Sequence, residues 1–102
     1  MNPLIERHRS EIDRLCRRYG VARLALFGSA TGPSFDPAIS DLDFVVGFQP
    51  EVRATAFDRY FGLKEALEQL LGRKVDLITE PSIRNPYLRR EIEASRQPLY
   101  GP

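Results

Sequence analysis

Apolar residues over the first twenty positions recur at Leu4, Ile5, Ile12, Leu15, Cys16 and Tyr19. That spacing is helical, and Gly20 stands where a glycine stop is expected, so the pattern predicts a helix from Leu4 to Tyr19. Val21 to Phe27 is a short apolar run broken by Arg23 and ended by Gly28, which predicts a strand. Gly32, Pro33 and Pro37 punctuate the next stretch as a turn or a short irregular helix. Asp41 to Phe48 alternates and then becomes continuously apolar at Phe44-Val45-Val46, a second strand closed by Pro50. Val52 to Leu71 carries Ala56, Phe57, Tyr60, Leu63, Leu67, Leu70 and Leu71, an amphipathic helix despite Gly62, with Gly72 to end it. Lys74 to Thr79 predicts a third strand, with Pro81 just beyond. Asn85-Pro86 opens a last helix from Tyr87 to Arg96, Pro86 suiting its first turn, and Gln97 to Pro102 reads as a tail. The order α-β-turn-β-α-β-α predicts an α+β fold, a small mixed sheet with helices packed on one face.

Within this pattern a few polar residues stand in unusual places. Residues i and i+2 of a strand project from the same face, with Cα atoms roughly 6.5 Å apart. A strand from Asp41 therefore sets the carboxylates of Asp41 and Asp43 side by side. Two such groups repel when ionised, and one of them gains a raised pKa unless a cation lies between them. A divalent metal resolves the conflict, and Mg²⁺ characteristically takes one or two carboxylates and completes its shell with water and substrate phosphates. Asp76 lies in the third predicted strand, Val75-Asp76-Leu77-Ile78, where aspartate is depleted. If that strand neighbours the second, Asp76 faces the same side, and three carboxylates can hold two metals about 3.5–4 Å apart for in-line phosphoryl or nucleotidyl transfer. Upstream, Gly28-Ser29 ends the first strand in a turn able to hold a phosphate.

Taken singly, each feature has a plain explanation. Ser40-Asp41-Leu42-Asp43 alone is a polar turn entering a strand, Gly28-Ser29 any strand-ending turn, and Asp76 a solvated edge residue. Their joint occurrence in this order, at strand ends, favours a shared site. His8 reads as a surface or seam residue, Cys16 as core, and Asp36, in Phe35-Asp36-Pro37, as part of a turn.

Composition narrows the classes. The length of 102 residues suits one domain spanning 1–102, with 42% hydrophobic and 28% charged residues as in ordinary globular proteins. A net charge of +1 argues against a general polyanion binder, so no direct nucleic-acid contact is expected. The basic residues are arginine except for Lys64 and Lys74, which suits bidentate phosphate or carboxylate contacts and equally tracks a GC-rich genome or heat adaptation. No apolar run is long enough to span a bilayer and Met1 to His8 has no signal-peptide core, so no membrane association is expected. One cysteine excludes an internal disulfide framework and fits a reducing cytoplasm.

Leu26-Phe27-Gly28-Ser29-Ala30 followed by Ser40-Asp41-Leu42-Asp43-Phe44-Val45-Val46 resembles the nucleotidyltransferases of the DNA polymerase β superfamily. Their signature is Gly-Ser, a spacer, Asp-x-Asp, and a third acid on a later strand. Within that superfamily the chain is similar to the minimal nucleotidyltransferases, the MNT group, and the segment from Ile83-Arg84-Asn85-Pro86-Tyr87 to Leu99-Tyr100 resembles the usual ending of that group. Many relatives carry an arginine shortly before the next glycine; this chain reads Ala30-Thr31-Gly32.

The resemblance implies a polymerase β-like nucleotidyltransferase fold and a role for each matched residue. Gly28 would let the backbone approach a triphosphate, and Ser29 would bond its terminal phosphates. Asp41, Asp43 and Asp76 would be catalytic and would bind two Mg²⁺ ions, with ATP as substrate. It also implies an antitoxin of a toxin–antitoxin module whose partner is a HEPN-family toxin, with AMP transferred onto a toxin tyrosine. Two alternatives stand beside this reading: a non-catalytic antitoxin that acts by binding its partner, and a small-molecule nucleotidyltransferase.

Overall fold

The computed structural model describes residues 2–33, 41–50 and 55–101. Helix α1 (Pro3–Arg7) and helix α2 (Arg9–Arg18) lead into strand β1 (Val21–Phe27) and a 3-10 turn at Gly28–Thr31. Strand β2 (Leu42–Phe48), helix α3 (Ala56–Leu71) and strand β3 (Val75–Thr79) follow, then a 3-10 turn at Glu80–Ser82, helix α4 (Pro86–Ser95) and strand β4 (Gln97–Tyr100). The turn expected around Asp36 and Pro37, and the helix start expected at Val52, lie outside the described residues. No described helix is long and apolar enough to cross a membrane.

The four strands form one mixed sheet in the order β3-β2-β1-β4. β1 runs antiparallel to β2 and β4, while β2 and β3 are parallel, a pairing that needs the crossover α3 supplies. Alternation along the strands sorts the side chains. Leu24, Leu26, Leu42, Phe44, Val46, Val75 and Leu77 point to one face, where they meet Ile5, Ile12, Cys16, Leu63 and Leu67 of α1, α2 and α3. Ala25, Phe27 and Val45 point to the other and meet Ile92 and Leu88 of α4. Thus α1–α3 cover one face, as expected from the sequence, and α4 is added on the opposite one. The reason is that β1 and β2 are apolar on both sides, and the Leu88/Ile92 stripe supplies the cover.

Two further departures have local causes. The first helix divides at His8, whose backbone leaves the helical region at φ −114° and whose Nδ1 donates to the Leu4 carbonyl at 2.9 Å. Asn2 caps α1, accepting from the amides of Leu4 and Ile5 at 2.9 and 3.4 Å. The expected tail from Gln97 is instead strand β4, paired with Leu24, Ala25 and Leu26 of β1. Pro98 is tolerated there because β4 is an edge strand with little need of every amide donor.

Both sheet edges are occupied by side chains. On β3, Tyr60 donates its hydroxyl to the Leu77 carbonyl at 2.5 Å and Glu68 accepts from the Val75 amide at 3.1 Å. On β4, Arg9 donates to the Leu99 carbonyl at 3.3 Å. Far from the Gly-Ser turn, Gly47 lies opposite Arg23, and a Cβ there would collide with the carboxylate of Glu80. The missing side chain leaves room for Arg23 to grip Glu80 with two nitrogens, at 2.6 Å from Nη2 and 3.0 Å from Nε, fastening β1 to the turn after β3.

Candidate active site

The parallel register sets Asp43 of β2 directly beside Asp76 of β3, and the antiparallel one sets Asp43 beside Phe27, the last residue of β1. Directly paired residues share a face, so both carboxyl groups stand on the α4 side of the sheet, at the end where β1 enters its Gly-Ser turn. Asp41 lies one residue before β2 begins and is exposed. Burial pushes the Asp43 carboxyl up to about 6; the neighbouring Asp76 charge and a hydrogen bond between the two side chains add to this, followed by the charges of Asp41 and Glu91.

The Gly28–Thr31 turn closes over this pair. Gly28 has a φ of +77°, a left-handed conformation that favours glycine, and a Cβ on it would stand 2.6 Å from Asp43 Oδ2. No other residue type brings the main chain so near the carboxylate without displacing it. The turn is tied down at three points. Thr31 Oγ1 donates to the Gly28 carbonyl at 2.7 Å, Asn2 Nδ2 to the Ala30 carbonyl at 3.2 Å, and the Gly28 amide to Ser95 Oγ of α4 at 2.9 Å. Ser29 is exposed on its rim.

These residues fit a magnesium–phosphate group. Burial and the neighbouring Asp76 charge hold the Asp43 carboxyl up, a conflict that a divalent cation between the two groups would relieve. Among the described residues no group of three or more His, Cys, Asp or Glu side chains is arranged to hold a metal ion by itself. The three acids expected from the sequence therefore do not converge as a set, and the Asp43–Asp76 pair is what the structure brings together. An open pair of carboxylates suits Mg²⁺, which completes its octahedron with water and phosphate oxygens, better than it suits a cation enclosed by protein alone.

Of the five residues expected from the sequence, Asp43 and Asp76 are neighbours in register, Gly28 abuts Asp43, Asp41 acts on it electrostatically, and Ser29 lies on the adjoining turn. The sequence reading missed Ser95, Glu91 and Asn2. From Leu88, helical spacing puts Glu91, Ile92 and Ser95 on one stripe; the signal became readable only once that stripe was known to face the sheet. A groove of about 950 Å³, lined by Arg14, Tyr19, Glu65, Gln69 and Leu70 among others, lies between α2 and α3 and contains none of the five. Its charged lining mixes Glu11 and Glu65 with Arg14 and Arg18.

Known proteins resemble this chain in sequence and fold. A family model described as "Nucleotidyltransferase domain" matches residues 9–99. A Methanocaldococcus jannaschii protein named "Putative protein adenylyltransferase MJ1379" is 47% identical over 77 residues, 74% of each chain. A solved structure described as a "putative minimal nucleotidyltransferase" superposes with a TM-score of 0.73 at 32% identity, covering 92% of this chain and 91% of that one. The fold also recurs, at a TM-score of 0.66 and 20% identity, in a complex of a tri-AMPylated Shewanella oneidensis HEPN toxin with its MNT antitoxin, covering 95% of this chain and 72% of that one.

Proposed function

Because this chain belongs to the nucleotidyltransferase domain family and is an enzyme of that type, we propose that it transfers AMP from ATP, with Mg²⁺, to a tyrosine hydroxyl of a HEPN-family toxin, and so acts as the antitoxin of a toxin–antitoxin module. The observation that carries the reading is the Asp43–Asp76 pair lying against the Gly28 turn. Support for adenylyl transfer comes from the adenylyltransferase name of the 47% identical relative, and support for a toxin partner from the MNT antitoxin complex that shares the fold.

In this mechanism Gly28 and Ser29 hold the terminal phosphates of the triphosphate, the glycine by letting the backbone come close and the serine through its hydroxyl. Asp41, Asp43 and Asp76 would hold two Mg²⁺ ions, which would supply neutralisation of the developing charge on the transferred and leaving groups. Asp76 takes up the acceptor proton as the tyrosine oxygen forms its bond to the α-phosphorus, and the bond to pyrophosphate breaks in line. Positioning and charge stabilisation supply the catalysis. Cys16, buried and the single cysteine, suits work in a reducing cytoplasm.

The test is incubation of the purified protein with a HEPN partner, labelled ATP and Mg²⁺. Label should appear on a partner tyrosine and vanish with Asp41→Asn and Asp43→Asn. A partner that stays unlabelled, yet is inhibited equally by wild type and both variants, would overturn the catalytic reading and leave binding alone.

A further inference from the structure

We propose that Ser95 of α4 is a positioning residue that sets the gap between the phosphate-binding turn and the acid pair. This rests on the functional reading above. Gly28 is clamped between two neighbours. On one side lies Asp43, whose Oδ2 would stand 2.6 Å from any Cβ at position 28; on the other lies Ser95, whose Oγ accepts the Gly28 amide at 2.9 Å.

The serine hydroxyl has one proton, and it is donated to the Glu91 carbonyl one helical turn earlier, at 2.9 Å. Toward Gly28 it can therefore only accept, so the polarity of the tie is fixed. The helix that carries it is itself fixed: Ile92 and Leu88 are seated among Ala25, Phe27 and Val45. At its far end α4 starts from the Asn85 cap, whose Oδ1 accepts the Tyr87 amide at 2.8 Å. The result is a rigid strut from the α4 face of the sheet to the amide of the glycine that abuts Asp43. The other two ties, from Thr31 and Asn2, reach carbonyls of the turn and leave this amide unheld.

A triphosphate bound through the turn and through ions on the acids must bridge that gap. Removing Oγ leaves the Gly28 amide without its acceptor and lets the turn shift against Asp43, so the two halves of the nucleotide site lose registry. Binding of the phosphates is weakened most; the chemistry, run by the acids, is weakened less.

Ser95→Ala suits the test because alanine is a better helix former than serine. We expect it to raise KM for ATP about tenfold while kcat falls no more than about threefold, within the cost of a misplacement near one ångström. Ser95→Thr, which keeps the hydroxyl, should restore KM to near the wild-type value. In nucleotide-free protein the Gly28 amide should be protected from hydrogen exchange in wild type and in Ser95→Thr, and lose that protection in Ser95→Ala. A helix role alone would move Tm and neither of these. Unchanged KM and unchanged Gly28 exchange in Ser95→Ala would overturn the proposal, as would a lowered KM, which would mean that the hydroxyl competes with phosphate. Wild-type protein that binds no ATP would instead overturn the function proposed above, and Gly28 exchange would still decide whether the tie exists.

Discussion

Asp43 and Asp76 face each other in register across the parallel β2–β3 pair, near enough for the charge of Asp76 to raise the Asp43 carboxyl. Together with burial, this makes Asp43 easier to protonate than a free aspartate.

Stability depends on pH through Asp43. The Asp43 carboxyl rises from 3.8 to about 6 on folding, so the folded state holds the proton more tightly than the unfolded one. Its contribution to stability is fully present below the unfolded value and is lost as pH rises through about 6. Glu80, whose carboxyl is held low mainly by its hydrogen bond to Arg23, acts in the opposite direction at the acid end. The difference between wild type and Asp43→Asn isolates the first effect. In EDTA, thermal melts should show wild type losing ground to Asp43→Asn between pH 4 and pH 7, and Mg²⁺ should recover it for wild type alone. A wild-type advantage that grows with pH in EDTA would contradict the assignment.

Asp41→Ala should separate activity from folding. Asp41 is exposed and stands outside β2, and its charge works against Asp43. Transfer should fall by about a thousandfold or more, the scale of losing part of a metal site. Stability without metal should stay level or rise slightly. A marked drop in the metal-free melting temperature would show that Asp41 has a structural task instead.

Gly28→Ala should damage both. The left-handed φ costs an alanine about 1–2 kcal/mol, and the new methyl meets Asp43 Oδ2. We expect a loss of about 1–3 kcal/mol in chemical denaturation together with weaker ATP binding. Full stability in this variant would mean that the turn relaxes freely.

Gly47→Ala tests the far end of the same sheet face. The methyl collides with the Arg23–Glu80 pair, and overpacking of this kind costs about 1–3 kcal/mol. Glu80→Ala should remove much of that penalty, so the double variant should be less destabilised than the sum of the two single ones. Simple additivity in urea melts would argue that the collision is not the cause. Because Gly47 and the acid pair lie at opposite ends of β2, nucleotide affinity should be unaffected in protein that remains folded.

Much of this architecture was readable in the order of residues. The run Val21–Phe27, the run Lys74 to Thr79 (one residue longer than β3) and the periodic segment ending at Leu71 announced themselves through local pattern, because burial on a sheet or against a helix imposes a repeat. Asp76 was conspicuous because it interrupts such a run. What stayed hidden depended on contacts between distant segments. Nothing near His8 signals a break, and Gln97-Pro98-Leu99-Tyr100 is too short and too interrupted by proline to read as a strand until β1 is there to pair with it. The same holds for Ser95 and Glu91. A serine near the end of a helix is unremarkable by itself, and its meaning comes from an amide 67 positions away.

The seating of Tyr60 and Glu68 on the outer border of β3, and of Arg9 on that of β4, has a consequence for association. Main-chain groups that already have side-chain companions offer a neighbouring polypeptide little to zip onto. Copies of this molecule are thereby discouraged from stacking into ribbons, and any protein it recognises must be met through projecting groups and surface shape.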